Sequence, residues 1–136
     1  MRILVSGARG WVNAPLIEQN LVFYAEQDKN GSTGLPVLVH GACPKGADKL
    51  ANDIAEKLGW EIERYPADWD RLGKKAGVKR NEDMVDTRPD LVLAFPLPEG
   101  TGTQHCIGYA VKKGCHVVVV DPNGNTTSYN DDITLF

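Results

Sequence analysis

Three short glycine-bearing segments hold most of the residues that could do chemistry: Ser6-Gly7-Ala8-Arg9-Gly10-Trp11, Gly41-Ala42-Cys43-Pro44-Lys45-Gly46-Ala47-Asp48 and Pro96-Leu97-Pro98-Glu99-Gly100-Thr101-Gly102-Thr103. Each follows a short apolar run and precedes an amphipathic one, so each reads as a strand-to-helix loop. At such a junction, free backbone N–H groups and the positive end of the helix dipole favour an anion such as phosphate. Glycine lets the backbone approach that anion and take positive φ. Thr101 and Thr103 add hydroxyl donors, and Thr103 is the expected N-cap of the last helix.

The three signals differ in specificity. Gly7-x-x-Gly10 alone is weak, because many strand-to-helix turns carry two glycines. Gly41-x4-Gly46 has the glycine spacing of a P-loop. Ala47-Asp48 replaces the Lys-Ser/Thr pair that a P-loop requires, which excludes a Walker-type NTPase. Gly100-Thr-Gly-Thr103 is the best anion cradle of the three. In an open parallel sheet, ligands bind outside the carboxyl ends of the strands, where loops of this kind gather. The expected ligand-binding set is therefore Ser6, Gly7, Arg9, Trp11, Gly41, Ala42, Lys45, Gly46, Asp48, Pro96, Gly100, Thr101, Gly102 and Thr103.

Arg80 and Asn81 complete that set. They end the segment Arg71–Arg80, RLGKKAGVKR, which holds five basic residues and no acidic one. A solvated face accounts equally well for Lys74, Lys75 and Lys79. Arg80 differs, because Asn81 follows it and Met84 and Val85 belong to the same helix pattern. Its guanidinium suits forked contact with phosphate. Trp11, Trp69 and Tyr65 could stack on a base, although packing is the commoner role. Asp48, Asp68, Asp70 and Glu99 are the carboxylates available for acid–base work, with helix capping the blander role for Asp48. His40, His105 and His116 are scattered, and no Ser/His/Asp triad can be assembled. His105-Cys106 and Cys115-His116 lack structural-zinc spacing, so no metal is expected.

The elements that must position these residues follow from periodicity. Strands are predicted at Arg2–Ser6, Pro36–His40, Trp60–Tyr65, Asp90–Phe95 and Cys115–Val120. Helices are predicted at Asn13–Asp28, Ala47–Leu58, Ala76–Thr87 and Thr103–Lys113. Lys29–Leu35 and Pro66–Lys75 read as connections. The strand–helix alternation predicts an α/β fold, a Rossmann-like three-layer sandwich with a five-stranded, mostly parallel sheet of order 3-2-1-4-5. An antiparallel α+β domain is the alternative. The expected organisation is one domain over residues 1–121 and a polar tail over 122–136.

Composition sets the limits. A chain of 136 residues, 42% hydrophobic and 24% charged, is the size and make-up of one globular domain. The formal net charge of −3 offers no global attraction to nucleic acid or anionic membrane. No apolar run approaches the ~18 residues of a membrane span. Three cysteines without framework spacing fit a reducing, cytoplasmic compartment.

Val39-His40-Gly41-Ala42-Cys43-Pro44-Lys45-Gly46-Ala47-Asp48, Arg64-Tyr65-Pro66-Ala67-Asp68-Trp69, Arg80-Asn81-x-x-Met84-Val85, Leu93-Ala94-Phe95-Pro96 and Gly100-Thr-Gly-Thr103 occur in that order. Together they resemble the YspA-type, cpYpsA-related branch of the SLOG superfamily, over about residues 1–120. That superfamily also holds the LOG phosphoribohydrolases and the DNA-processing Smf proteins. The resemblance implies a Rossmann-like domain that senses or processes a nucleotide-derived ligand, often in phage or mobile elements, and a homodimer. No cofactor is expected. In the LOG enzymes an Arg before a helix and a Glu after a PGGxGT loop form the catalytic pair. The Arg corresponds to Arg80, the candidate catalytic residue, and the loop to Pro98–Thr103. The Glu has no counterpart, since Gln104, His105 and Cys106 occupy its stretch. Ligand binding is therefore expected ahead of catalysis, with a nucleotide N-glycosidase as the alternative and nucleic-acid binding third.

Overall fold

A computed structural model describes residues 1–27 and 34–131. The last residue of the predicted first helix, most of the predicted loop 29–35 and residues 132–136 lie outside them. The described residues form an α/β fold built on one mixed, mostly parallel sheet. Its strands are β1 (Arg2–Gly7), β2 (Val37–His40), β3 (Glu61–Arg64), β4 (Leu91–Phe95), β5 (Val117–Val120) and β6 (Thr126–Tyr129), in the order β3-β2-β1-β4-β5-β6. The helices are α1 (Ala14–Glu26), α2 (Ala47–Leu58), α3 (Trp69–Leu72), α4 (Ala76–Asp86) and α5 (Thr101–Lys112).

The central strands are apolar because both their faces are covered. Ile3 and Val5 of β1 share one packed layer with Ile17 and Leu21 of α1 and Ala51, Ile54 and Ala55 of α2. Leu4, pointing the other way from the same strand, packs with Met84 and Val85 of α4 and Cys106 and Ala110 of α5. Strand alternation thus sorts four helices onto two faces, giving three layers. The helix limits have local causes. Asn13 caps α1 by accepting from the Leu16 N–H at 3.1 Å, and Pro15 sits in the first turn, where no N–H is needed. Gly59, with φ of 76°, ends α2 as a left-handed cap.

The strand order of the first five agrees with the expected 3-2-1-4-5, but the sheet has six strands, not five. The sixth lies in the polar run that was expected as a tail. Asp121 turns the chain: its Oδ1 accepts from the N–H groups of Asn123 and Asn125 at 2.9 and 3.0 Å, and Gly124 takes φ of 90°. Thr126–Tyr129 then pairs antiparallel with β5. The Asn130 side chain closes the hairpin by donating to the carbonyls of Val111 and Cys115. An edge strand exposed along its length needs no apolar residues, which is why polarity misled the reading. Two smaller corrections bear on the site. The connection 66–75 contains α3 and a 3-10 turn at Gly73–Lys75. α5 begins at Thr101 rather than Thr103, because the Gly100 N–H closes a turn on the Leu97 carbonyl and Gly100 becomes the N-cap.

Candidate functional site

The carboxyl ends of β1, β2 and β4 carry the three glycine loops, and the loops meet. Ala8 is the joint: its N–H donates to the Phe95 carbonyl at 3.0 Å, and its carbonyl accepts from the Trp11 and Ala47 N–H groups. Gly46 lies against this joint with φ of 78°, and a Cβ there would collide with the Ala8 carbonyl and the Arg9 backbone. Gly7 is equally constrained, since a Cβ would meet Ala47 and Phe95. These two glycines serve packing.

Above the joint opens a cleft of about 480 Å³. Ser6, Gly7, Arg9, Gly41, Asp48, Arg80, Asn81, Gly100, Thr101, Gly102 and Thr103 line it, so eleven of the sixteen expected residues come together. Trp11, Ala42, Lys45, Gly46 and Pro96 are not part of its lining. Trp11 is 3% exposed and packs edge-on to Phe95 at 5.3 Å, with its indole N–H on the Asn13 carbonyl. It is a core residue, because it sits between the first helix and the sheet. Thr103, expected as a cap, is a buried residue of the first turn of α5. Lys45 is exposed.

Arg80 and Asn81 tie two loops to α4. One Arg80 Nη donates to the Gly41 carbonyl, and its Nε donates to Asn81 Oδ1 at 2.9 Å. Asn81 Nδ2 donates in turn to the Gly102 carbonyl at 3.2 Å. The absence of a Cβ at Gly41 leaves the space that the guanidinium occupies, so a larger residue there would displace Arg80 from the Gly41 carbonyl. Of the five basic residues in the segment 71–80, Lys74 and Arg80 line the cleft. Arg71 pairs with Asp68 at 3.1 Å and Lys79 with Asp83 at 2.6 Å, both at the surface.

The three helix starts differ in what they leave free. That of α1 is capped by Asn13. That of α2 has Asp48 in its first turn, 5% exposed, whose Oδ2 accepts from the Gly41 and Cys43 N–H groups at 3.2 and 3.3 Å. That of α5 has no side-chain cap and no acidic residue in its first turn. It is the start best suited to an external anion. Burial pushes the Asp48 carboxyl above its usual range, against the pull of His40, the Cys43 amide and Arg80. Burial also pushes the Cys43 thiol up, and takes the Cys106 thiol, beside Ser6, to about 11. Neither thiol is activated as a nucleophile.

Asp48 and Glu99 are the carboxylates that line the cleft. Asp68 instead caps α3, accepting from the Arg71 N–H at 3.3 Å. At the stretch where the LOG glutamate would stand, His105 faces Glu82 at 3.3 Å and Cys106 is buried. His40, which the sequence places apart from the other histidines, belongs to a network. His40 Nδ1 accepts from the Ala42 N–H at 2.9 Å, which puts the ring proton on Nε2. That nitrogen meets Asn52 Oδ1 at 2.9 Å, and Asn52 donates to Glu56 at 2.7 Å. The i, i+4 spacing of Asn52 and Glu56 was the available signal. Cys43, Lys74, Gly77, Leu97 and Trp69 also line the cleft, outside the expected set.

Residues 1–72 match the model of the YspA, cpYpsA-related SLOG family. The chain is 38% identical over 126 residues to the Gene 61 protein of Mycobacterium phage D29, an alignment spanning 86% of this chain and 94% of that protein. It is 32% identical over 88 residues to DNA primase DnaG of Pyrobaculum arsenaticum, covering 64% of this chain and 21% of the primase. No solved structure matches the chain.

Proposed function

The chain belongs to the YspA, cpYpsA-related SLOG family, and from that premise we propose that it binds or senses a nucleotide or nucleotide-derived small molecule in the cleft above β1, β2 and β4. The observation that carries this reading is the convergence of the uncapped start of α5 with Arg80 and Lys74 on one cavity. A helix start and a guanidinium on the same space suit a phosphoryl group. The remaining volume suits a sugar and base. The full ligand-contacting set of the proposal is the eleven lining residues named above. A cytoplasmic homodimer goes with the same reading, and the phage relative accords with a mobile-element setting.

The test is thermal shift and calorimetry with nucleoside mono-, di- and triphosphates, cyclic nucleotides and ADP-ribose. A rise in melting temperature with at least one, lost in Arg80→Ala, is the expected result. No shift with any of them overturns the reading.

One observation favours a second reading, hydrolysis of a nucleotide N-glycosidic bond. Asp48, held toward its protonated form by burial, lines the same cleft as Glu99. Two carboxyl groups on one cleft, one of them biased by burial toward its neutral form, are the kind of pair that leaving-group protonation and water activation draw on. Free base released from AMP, and abolished by Arg80→Ala, is its signature. Nucleic-acid binding stands third. The net charge is −3, and only two residues of the basic segment line the cleft.

A further inference from the structure

Of the three tryptophans, two have packing reasons for their positions. Trp11 is in the core against Phe95, and Trp60 packs on the same apolar layer. Trp69 has none. It is 49% exposed, belongs to neither apolar layer, and its indole N–H has no hydrogen-bond partner among the described residues. Yet it is held. The Asp68 side chain caps α3, the Asp68 carbonyl accepts from the Leu72 N–H at 2.9 Å, and Arg71 pairs back onto Asp68.

The indole lies along the opening turn of α4. A Cβ on Gly77 would come 3.2 Å from Trp69 Cη2 and 4.0 Å from an Arg80 Nη. Glycine inside a helix costs about 1 kcal/mol relative to alanine. At Gly77 that cost goes with room for a flat ring beside the helix. Trp69, Gly77 and Arg80 all line the cleft. Asn81, one turn beyond Gly77 on α4, holds the Gly102 carbonyl at the start of α5. The indole and the uncapped helix start are therefore each held against α4, on adjoining turns, and both line the one cleft.

We propose that Trp69 is the base platform of the cleft: an aromatic base stacks on its exposed face while the phosphate of the same molecule lies at the start of α5. This inference rests on the nucleotide-binding reading and adds to it a specificity-determining residue. It makes the base, and not only the sugar phosphate, a determinant of binding, with purines ahead of pyrimidines because they offer more surface to stack.

The experiment uses the full chain with AMP, CMP and ADP-ribose, and with ribose 5-phosphate as the partner of AMP that lacks only the base. Calorimetry and tryptophan emission are the readouts. AMP or ADP-ribose is expected to bind at least tenfold more tightly than ribose 5-phosphate and to quench emission. In Trp69→Ala the nucleotide loses about tenfold in affinity, close to 1.4 kcal/mol, while ribose 5-phosphate binding is unchanged. In Trp69→Phe most of the affinity returns but the quench does not, because neither Trp11 nor Trp60 lines the cleft. Trp69→Ala removes no contact with either apolar layer, so the variant is expected to unfold cooperatively, with a melting temperature close to that of the parent without ligand. Nucleotide binding untouched by Trp69→Ala, or ribose 5-phosphate binding as tightly as AMP, overturns the platform and leaves the nucleotide reading standing. No binding by these probes overturns the platform, and no binding by the wider nucleotide set either overturns both.

Discussion

The loops 41–48 and 96–103 both end a parallel strand, both carry two glycines, and both lead into a helix of twelve residues. In the first, the chain supplies its own anion. Asp48 occupies the amides of Gly41 and Cys43, and the Ala47 amide goes to Ala8. In the second, the Gly100 amide closes the turn, and the first turn of α5 has neither a cap nor a carboxylate. A glycine-rich turn before a helix is thus open to a ligand only where the chain has not filled it itself. Arg80 and Asn81 join the two loops and set their separation.

The contrast can be broken from either side. The largest effect is expected from Gly46→Ala in the filled loop. Its φ of 78° and its contact with the Ala8 carbonyl leave no place for a Cβ. A loss of about 3 kcal/mol in chemical denaturation is expected. Full stability would mean that the two loops do not pack as described. Next is Arg80→Ala, which removes the link between the loops and the main cation of the cleft. It should weaken nucleotide binding by roughly 100-fold, the scale of a lost charged contact. Arg80→Lys should not rescue it, because one ammonium cannot reproduce the fork that reaches both Asn81 and Gly41.

Asp48→Asn tests the internal anion through pH. Burial raises the folded-state pKa of Asp48 above its unfolded value, near 3.8. The folded chain then holds the proton more tightly than the unfolded one. Asp48 therefore loses stabilising effect as pH rises from 3.8 toward its folded pKa. Relative to the parent, Asp48→Asn should gain in melting temperature across that window. A constant difference between the two would contradict a raised pKa. The smallest effect is expected in the open loop. Gly102 has open space where a Cβ would be, so Gly102→Ala should stabilise by about 0.5–1 kcal/mol through helix propensity. It should also weaken nucleotide binding by narrowing the approach to the helix start. A glycine that gives stability and loses affinity on the same substitution is one kept for a ligand.

Much of this was legible in the chain. The helix Ala47–Leu58 could be bounded to the residue, because Gly59 marks its end and Leu50, Ile54 and Leu58 its apolar stripe. The strand order of the parallel part followed from alternation and crossover rules. The loops of the cleft could be named because glycine, strand ends and helix starts leave local signals. β6 was missed for lack of an apolar pattern, although Asp121-Pro-Asn-Gly124 is a turn signal and Thr126–Tyr129 a run with strand propensity. Trp11 and Trp69 could not be told apart, since an indole looks the same in sequence whether it faces a core or a cleft.

By itself the sequence determined the α/β alternation, the three loops and Arg80 as the cation beside them. These depend on patterns within a few residues: hydrophobic period, caps and turn chemistry. The tertiary structure alone decided which loop is open, that Asp48 fills one of them, that Arg80 and Asn81 bridge residues 41 and 102, and that Trp69 lies over Gly77. Those facts join residues from separate segments. Their physical basis is which polar groups find each other on folding, and no local pattern encodes that.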